Sequence, residues 1–159
     1  MKQTITHFFK SNNGQVFFWL LILDIITKQW AALTRVNVAI IQNFFYLAYS
    51  RNTGAAWSIL AGNQWLLAII SFSVGIGFGY YYLKNYQKTT FLNHLGISLF
   101  LSGTWGNFID RALFPEGVID FLSFRFGSYM FPTFNVADSA LTIGVIILFV
   151  TSLFEKRAS

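Results

Sequence analysis

Long apolar stretches separated by short polar segments dominate this chain. Four of them approach the roughly 20 residues that a helix needs to cross the hydrocarbon core of a bilayer. They cover approximately residues 16–33, 63–83, 90–108 and 136–154. No repeat or linker divides the sequence, so we predict one membrane-embedded domain over residues 1–159, of the all-α integral membrane class with four transmembrane helices. The first stretch lacks a small-residue cleavage pattern after it, which favours a retained span over a removed signal peptide.

Composition supports the membrane class. The chain is 55% hydrophobic, 19% aromatic and only 11% charged, well outside the range of soluble proteins. It has no cysteine, which excludes disulfides and thiolate metal sites.

Basic residues are distributed unevenly around the four stretches. The two ends and the middle loop carry Lys2, Lys10, Lys84, Lys88, Lys156 and Arg157, against the single acid Glu155. By the positive-inside rule both termini are cytoplasmic, and the loops of about 34–62 and 109–135 face outward. The net charge of +5 predicts contact with anionic membrane lipids, and nothing suggests nucleic acid.

The two outward loops hold most of the polar residues. The first is rich in β-branched and aromatic residues up to Tyr49, which predicts a small extracytoplasmic β-structure before the turn sequence "RNTG". In the second, Pro132 breaks any helix, and Asn135 or Asp138 is a start signal for the fourth span. Asp120 and Asp138 are therefore expected near the outer membrane boundary.

Five sequence blocks resemble a known family. In order and spacing, "DIITK", "RNTGAAWSI", "GNFIDR", "GVIDF" and "FNVADS" are similar to the signature blocks of the lipoprotein signal peptidases, also called signal peptidase II. The resemblance covers nearly the whole chain. One block departs: residues 102–105 read "SGTW" where the family often has two glycines and small residues, so Trp105 changes the packing there but no polar position.

The resemblance implies a bacterial inner-membrane aspartic endopeptidase without a cofactor. Such enzymes remove the signal peptide from prolipoproteins by cutting before a diacylglyceryl-modified cysteine, so lipid-modified prolipoproteins are the expected partners. The catalytic pair carried over is Asp120 and Asp138. The family positions that line or support the site match Asn52, Gly54, Asn107, Arg111 and Asn135, and a polar pair of the first helix matches Asp24 and Lys28.

The chemistry of two close carboxylates agrees with this role. Two such groups within a few ångströms share one proton, since ionising both is costly. One then activates a water molecule as a base while the other donates to the scissile carbonyl. The sequence leaves open which aspartate holds the proton.

Several of these residues have a simpler structural interpretation. Asp138 alone could be a helix cap, and Asp120 alone an ordinary loop acid. Asp110, next to Arg111, is better explained as a local ion pair or loop anchor than as a third catalytic acid. Asp24 and Lys28 have the i, i+4 spacing of an intrahelical pair, which fits both site support and a purely structural tie.

Weaker signals point away from other peptidase classes. His7 and His94 fall on or near the cytoplasmic side, so no zinc ligand set is expected. A serine–lysine pair of Ser139 and Lys28 has no supporting spacing. The G-x-x-x-G spacing of Gly75 and Gly79 indicates close helix packing.

Two other functions remain open from the residues. Carboxylates within membrane spans also mark ion paths, so a small membrane transporter or proton-relay subunit is the alternative. A lipid-binding accessory protein with an inactive site is another. The acids cluster at one membrane edge and every motif aspartate and asparagine is present, which favours the peptidase.

Overall fold

Four long helices and a small antiparallel sheet form the part of the protein that the structure describes. The computed structural model describes residues 8, 11–55, 59–86 and 89–155. The helices are α1 (Asn12–Thr34), α2 (Gln64–Asn85), α3 (Phe91–Leu113) and α4 (Val136–Glu155). The strands are β1 (Asn37–Ile41), β2 (Phe45–Asn52), β3 (Val118–Phe126) and β4 (Tyr129–Met130), in the spatial order β1-β2-β3-β4.

Within the described ranges, three helices are long and apolar enough to cross a membrane: α1, α2 and residues Val136–Phe154 of α4. Their outward faces carry exposed large apolar side chains, among them Trp19, Leu33, Trp65 and Phe149. Such an inside-out distribution is costly in water and favourable in lipid. The protein is mostly helical, and its exposed apolar side chains suit a lipid bilayer.

Helix α3 differs from the other three in its polar content. It packs against α1, α2 and α4. Its polar side chains turn inward and are buried: Ser98, Ser102, Thr104, Asn107 and Asp110. These residues lower its hydropathy, which explains why α3 is absent from the helices that qualify as spans by composition alone.

Small residues allow α3 and α4 to pack closely. A Cβ atom on Gly103 would lie 2.2 Å from the carbonyl oxygen of Ala137, and one on Gly144 would lie 2.6 Å from the backbone nitrogen of Phe100. Neither position leaves room for a methyl group without moving backbone. This close approach brings the first turn of α4, with Asp138, against α3.

Trp105 packs against α2 at a glycine. Its indole Cε2 would be 3.0 Å from a Cβ atom on Gly75, and Phe72 and Phe108 contact the same ring edge to face. Gly75 thus serves the expected close helix packing, whereas a Cβ atom on Gly79 would meet nothing within 4 Å.

The sheet is larger than the sequence predicted, because the second outward loop contributes strands as well. β2 pairs with both β1 and β3, and Asp120 on β3 lies opposite Ser50 on β2. Asp120 is therefore a strand residue, and the simple loop-acid interpretation is wrong in its placement.

The third helix also extends further than the predicted end at residue 108. It continues to Leu113, and the backbone N–H of Phe114 donates to the carbonyl oxygen of Asp110. No glycine or proline interrupts the chain before Pro115, so the helix continues for another turn. Asp110 and Arg111 consequently lie on α3 and not in the loop.

Candidate active site

Asp120 and Asp138 reach one site from different elements. Asp120 lies on β3 and is 2% exposed, while Asp138 lies in the first turn of α4 and is partly exposed. Both side chains line one cavity of about 720 Å³. The two acids predicted from the sequence therefore line the same cavity.

Asn135 and Asp138 form a reciprocal cap at the start of α4. The backbone N–H of Asp138 donates to Asn135 Oδ1 at 2.8 Å, and the backbone N–H of Asn135 donates to Asp138 Oδ2 at 3.2 Å. This is the capping-box arrangement, in which two side chains satisfy each other's free amides at a helix start. Asn135 is thus the start signal, and Asp138 caps the helix while facing the cavity.

Two asparagines connect the aspartates. Asn135 Nδ2 donates to Asp120 Oδ1 at 2.7 Å, and Asn107 Nδ2 donates to Asp138 Oδ1 at 2.7 Å. Asn135 Nδ2 also lies 3.2 Å from Asn107 Oδ1. Since Asn135 contacts both acids, its side chain fixes the position of one carboxylate relative to the other.

The hydrogen-bond donors around the two acids differ. Each oxygen of Asp138 accepts one N–H, from Asn107 and from the backbone of Asn135. Both carboxyl oxygens of Asp138 therefore have an N–H donor.

Asp120 is in a more apolar environment. Burial and, second, the neighbouring charge of Asp138 raise the pKa of its carboxyl from 3.8 to about 7, against the lowering effect of hydrogen bonds from Asn52 and Asn135 and of the Lys28 charge. Asp120 is therefore partly protonated near neutral pH.

Asn52 and Arg111 line the cavity, and Gly54 connects them through hydrogen bonds. The backbone N–H of Gly54 donates to Asn52 Oδ1 at 2.9 Å, and Arg111 Nη2 donates to the carbonyl oxygen of Gly54 at 3.2 Å. Arg111 Nε is buried without a hydrogen-bond partner among the described residues. The flanking residues 56–58 of the "RNTGAAWSI" block lie outside the described part of the chain.

Asp24 and Lys28 form the predicted intrahelical ion pair, with Lys28 Nζ 2.7 Å from Asp24 Oδ2. Lys28 Nζ also lies 3.2 Å from Asp110 Oδ2 and 3.1 Å from Asn107 Oδ1. Asp110 in turn accepts the backbone N–H of Ile119 at 3.0 Å. Asp110 is therefore an anchor, as expected, but its ion-pair partner is Lys28 on α1.

The rest of the cavity is an apolar groove. Its wall is formed by α2, α3 and α4, through Leu67, Ile70, Val74, Phe100, Leu141 and Ile143. The polar end thus meets a surface suited to an apolar chain or acyl tail.

Some residues of the site were missed at the sequence level. Gln64, at the start of α2, donates from Nε2 to the carbonyl oxygen of Asn52 at 3.4 Å. Gly117 has φ +100°, and a Cβ atom there would lie 2.4 Å from the Asn52 carbonyl oxygen. The glycine of "GVIDF" could have indicated this position from the sequence, since positive φ favours glycine. No sequence signal indicated the Gln64 contact.

The histidines do not contribute to this site as far as the structure describes them. His94 Nδ1 lies 2.7 Å from the hydroxyl of Tyr82, within an aromatic group that includes Tyr86. His7 lies outside the described residues. Among the described residues no group of histidines and acids could hold a metal ion.

The helical membrane fold and the two carboxylates that line one cavity place this chain among membrane proteins with a paired-acid site. The model of the family described as signal peptidase (SPase) II matches residues 16–154. The chain belongs to this family, which makes it a membrane peptidase of the hydrolase class.

Named relatives agree over most of the chain. A lipoprotein signal peptidase of Bacillus pumilus (strain SAFR-032) is 41% identical over 146 residues, which cover 89% of this chain and 92% of that protein. One of Staphylococcus carnosus (strain TM300) is 42% identical over 143 residues, covering 88% and 89%. Neither comparison supports the transporter alternative.

The fold matches a solved structure. A bacterial membrane enzyme determined by the in meso method at 2.3 Å superposes with a TM-score of 0.81 and 35% sequence identity, over 91% of this chain and 88% of that one. A second such structure, at 1.9 Å, gives a TM-score of 0.76 and 36% identity.

Proposed function

We propose that the protein is an aspartic endopeptidase that removes signal peptides from prolipoproteins, cutting before a diacylglyceryl-modified cysteine. The aspartic mechanism is supported most directly by the Asn135 side chain. Its amide nitrogen donates to Asp120, and its oxygen caps the helix turn that holds Asp138. Family membership and the names of the relatives support the substrate class.

The two acids have different roles in the reaction, which we assign from their hydrogen bonds. Asp138, as carboxylate, takes a proton from a water molecule, and the resulting hydroxide attacks the scissile carbonyl carbon. Asp120 gives its proton to the carbonyl oxygen, which produces a neutral tetrahedral diol. Asp138 then protonates the leaving nitrogen, the C–N bond breaks, and Asp120 recovers a proton from the diol. The pair returns to its starting state with one shared proton.

Substrate backbone would lie between the acids and the Asn52–Arg111 side of the cavity. Arg111 lines the cavity, and its guanidinium can donate to a substrate carbonyl. Asn52 supplies a neutral amide beside Asp120. The apolar groove of α2, α3 and α4 would hold the membrane-embedded parts of the substrate, its signal peptide or its acyl chains.

We infer that α3 is a fourth transmembrane helix. It has 23 residues, long enough to span, and its buried polar side chains lie inside the protein and away from lipid. With four spans both termini lie on the cytoplasmic side of the bacterial cell membrane, and the sheet and the two aspartates lie at the outer face.

A cleavage assay with a defined precursor tests this function. The purified protein in detergent is incubated with a diacylglyceryl-modified precursor and, separately, with the same precursor lacking the modification. The proposed function predicts a new amino terminus at the modified cysteine, identified by mass spectrometry, in the first sample alone. A transporter or an inactive lipid-binding protein would leave both precursors at full length.

A further inference from the structure

Lys28 is at the centre of a buried polar cluster beneath the two aspartates. It is 1% exposed, and its ammonium contacts Asp24, Asp110 and Asn107 at 2.7, 3.2 and 3.1 Å. An ammonium has three N–H donors, and these three acceptors lie within 3.2 Å of it. These acceptors come from two helices, since Asp24 shares α1 with Lys28 and the other two lie on α3.

One arm of the cluster leads to Asp138. Asp24 Oδ1 accepts the backbone N–H of Ala137 at 2.8 Å, while Asp24 Oδ2 contacts Lys28. Ala137 is 1% exposed and immediately precedes Asp138 in the chain. Lys28 is therefore linked through Asp24 to the backbone immediately before Asp138.

The other arm leads to Asp120 in the same way. Asp110 Oδ2 contacts Lys28 and also accepts the backbone N–H of Ile119 at 3.0 Å. Ile119, 1% exposed, immediately precedes Asp120. Each aspartate of the cavity thus follows a residue whose amide is held by a buried carboxylate, and one lysine holds both carboxylates.

Stability alone is a poor explanation for this cluster. Burying an ion pair costs desolvation that often equals or exceeds the attraction gained, and apolar replacements of such clusters are frequently neutral or stabilising. A membrane span makes charged side chains costly as well. What distinguishes this cluster is that Asp110 and Asp24 accept the backbone N–H groups of the residues that precede Asp120 and Asp138.

We propose that Lys28 is a positioning residue that sets the separation of Asp120 and Asp138 through Asp24 and Asp110. The role rests on the proposed function, in which those two aspartates do the chemistry. Lys28 also contacts Asn107, whose amide donates to Asp138, so the same ammonium orients one of the donors to the catalytic carboxylate.

A positioning role separates the two kinetic constants. The apolar groove that receives substrate is formed by other residues, such as Leu67 and Ile70 of α2, so substrate binding is unaffected. Small displacements of reacting groups are expensive, and a shift of about 1 Å lowers turnover roughly 100-fold. Loosening the cluster therefore lowers kcat and leaves KM unchanged.

The test uses Asp24→Asn and Lys28→Met in the full-length protein. Asp24→Asn is isosteric and leaves Lys28 paired with Asp110, so the variant keeps a balanced ion pair and folds. Its new amide nitrogen faces either the Lys28 ammonium or the Ala137 N–H, and both are donors, so one contact is lost. Lys28→Met removes the centre of the cluster and leaves two buried acids unpaired, which destabilises more strongly.

Thr151→Val is the matched control. Thr151 Oγ1 donates to Asn93 Oδ1, so this variant also removes a polar contact between α3 and α4, outside the candidate site. Folded protein is quantified by thermal melting, and kcat and KM are measured for the diacylglyceryl-modified precursor. We expect a roughly 100-fold lower kcat per folded molecule for Asp24→Asn, an unchanged KM, and a wild-type kcat for Thr151→Val.

The positioning role is overturned if folded Asp24→Asn has the kcat of Thr151→Val. Asp120→Asn and Asp138→Asn are assayed beside it to separate the two hypotheses. If these two are inactive while Asp24→Asn turns over normally, the positioning role alone fails. If either of them cleaves at the wild-type rate, the catalytic pair itself is wrong.

Discussion

Asn135 and Asp138 exchange two hydrogen bonds across the first turn of α4, and the same Asn135 amide nitrogen donates to Asp120 at 2.7 Å. One neutral side chain therefore combines a helix cap with a link between two acids. A cap needs only a short polar acceptor, whereas the link to Asp120 needs an amide donor of this length.

Substitution of Asn135 separates these two roles. Asn135→Ser keeps a capping oxygen and Asn135→Ala does not, so we expect Ser to be more stable than Ala by about 1 kcal/mol. Both lose the donor to Asp120, so both should lose precursor cleavage. Thermal melting and the cleavage assay measure the two effects, and wild-type cleavage by Asn135→Ser would reduce Asn135 to a cap.

Close packing of α3 on α4 gives a second prediction. Gly103→Ala places a methyl group 2.2 Å from the carbonyl oxygen of Ala137, so α4 must move and carry Asp138 with it. We expect loss of both melting temperature and cleavage. Gly79→Ala is the control, since its methyl group meets nothing within 4 Å and alanine is the better helix former. Equal behaviour of the two variants would contradict the packing described.

The pKa of Asp120 predicts how stability depends on pH. The folded protein keeps this proton up to about pH 7, whereas the unfolded chain releases it near 3.8. The folded state then binds more protons between those values, so this group makes the free energy of unfolding fall as pH rises from about 4 to about 7. Above that range its contribution is constant.

Thermal unfolding of wild type and Asp120→Asn between about pH 4 and pH 8 checks this dependence, since the difference between their curves isolates the group. The difference should change through that window and level off above it. In wild type kcat/KM should also decrease above about pH 7, because Asp120 then lacks the proton it donates. A flat difference curve would show that Asp120 is ionised throughout.

Membrane topology is testable because the chain has no cysteine. Lys84 at the end of α2 and Glu116 between α3 and β3 are both exposed. We expect Glu116→Cys to react with a membrane-impermeant maleimide on intact cells, and Lys84→Cys to react only after permeabilisation. Labelling of both on intact cells would be incompatible with four spans and cytoplasmic termini.

The sequence carried the information that is local along the chain. Long apolar stretches placed the helices, and Asn135 or Asp138 was predicted to start the fourth one. The i, i+4 spacing of Asp24 and Lys28 predicted their ion pair. The five motif blocks supplied the candidate pair of aspartates, which local pattern alone left open to simpler interpretations.

Contacts between distant segments could not be predicted in this way. Asp24 accepts the amide of Ala137, 113 positions along the chain, and Lys28 contacts Asn107, 79 positions away. Such partners are chosen by the packing of α1 against α3 and α4, which no periodicity encodes. The strand placement of Asp120 likewise depends on pairing between β2 and β3, two loops that are far apart in sequence.

The most direct test of the account is precursor cleavage by Asp120→Asn, Asp138→Asn and the double variant, each purified and shown to be folded by thermal melting. Glu116→Gln, which neutralises an exposed acid between α3 and β3, is the control. An amide can neither take a proton from water nor share one with its neighbour, so each single variant should be inactive at every pH. The double variant should be no worse than either single, because the pair acts as one unit. Substantial turnover by a folded Asp120→Asn or Asp138→Asn protein would contradict the aspartic mechanism.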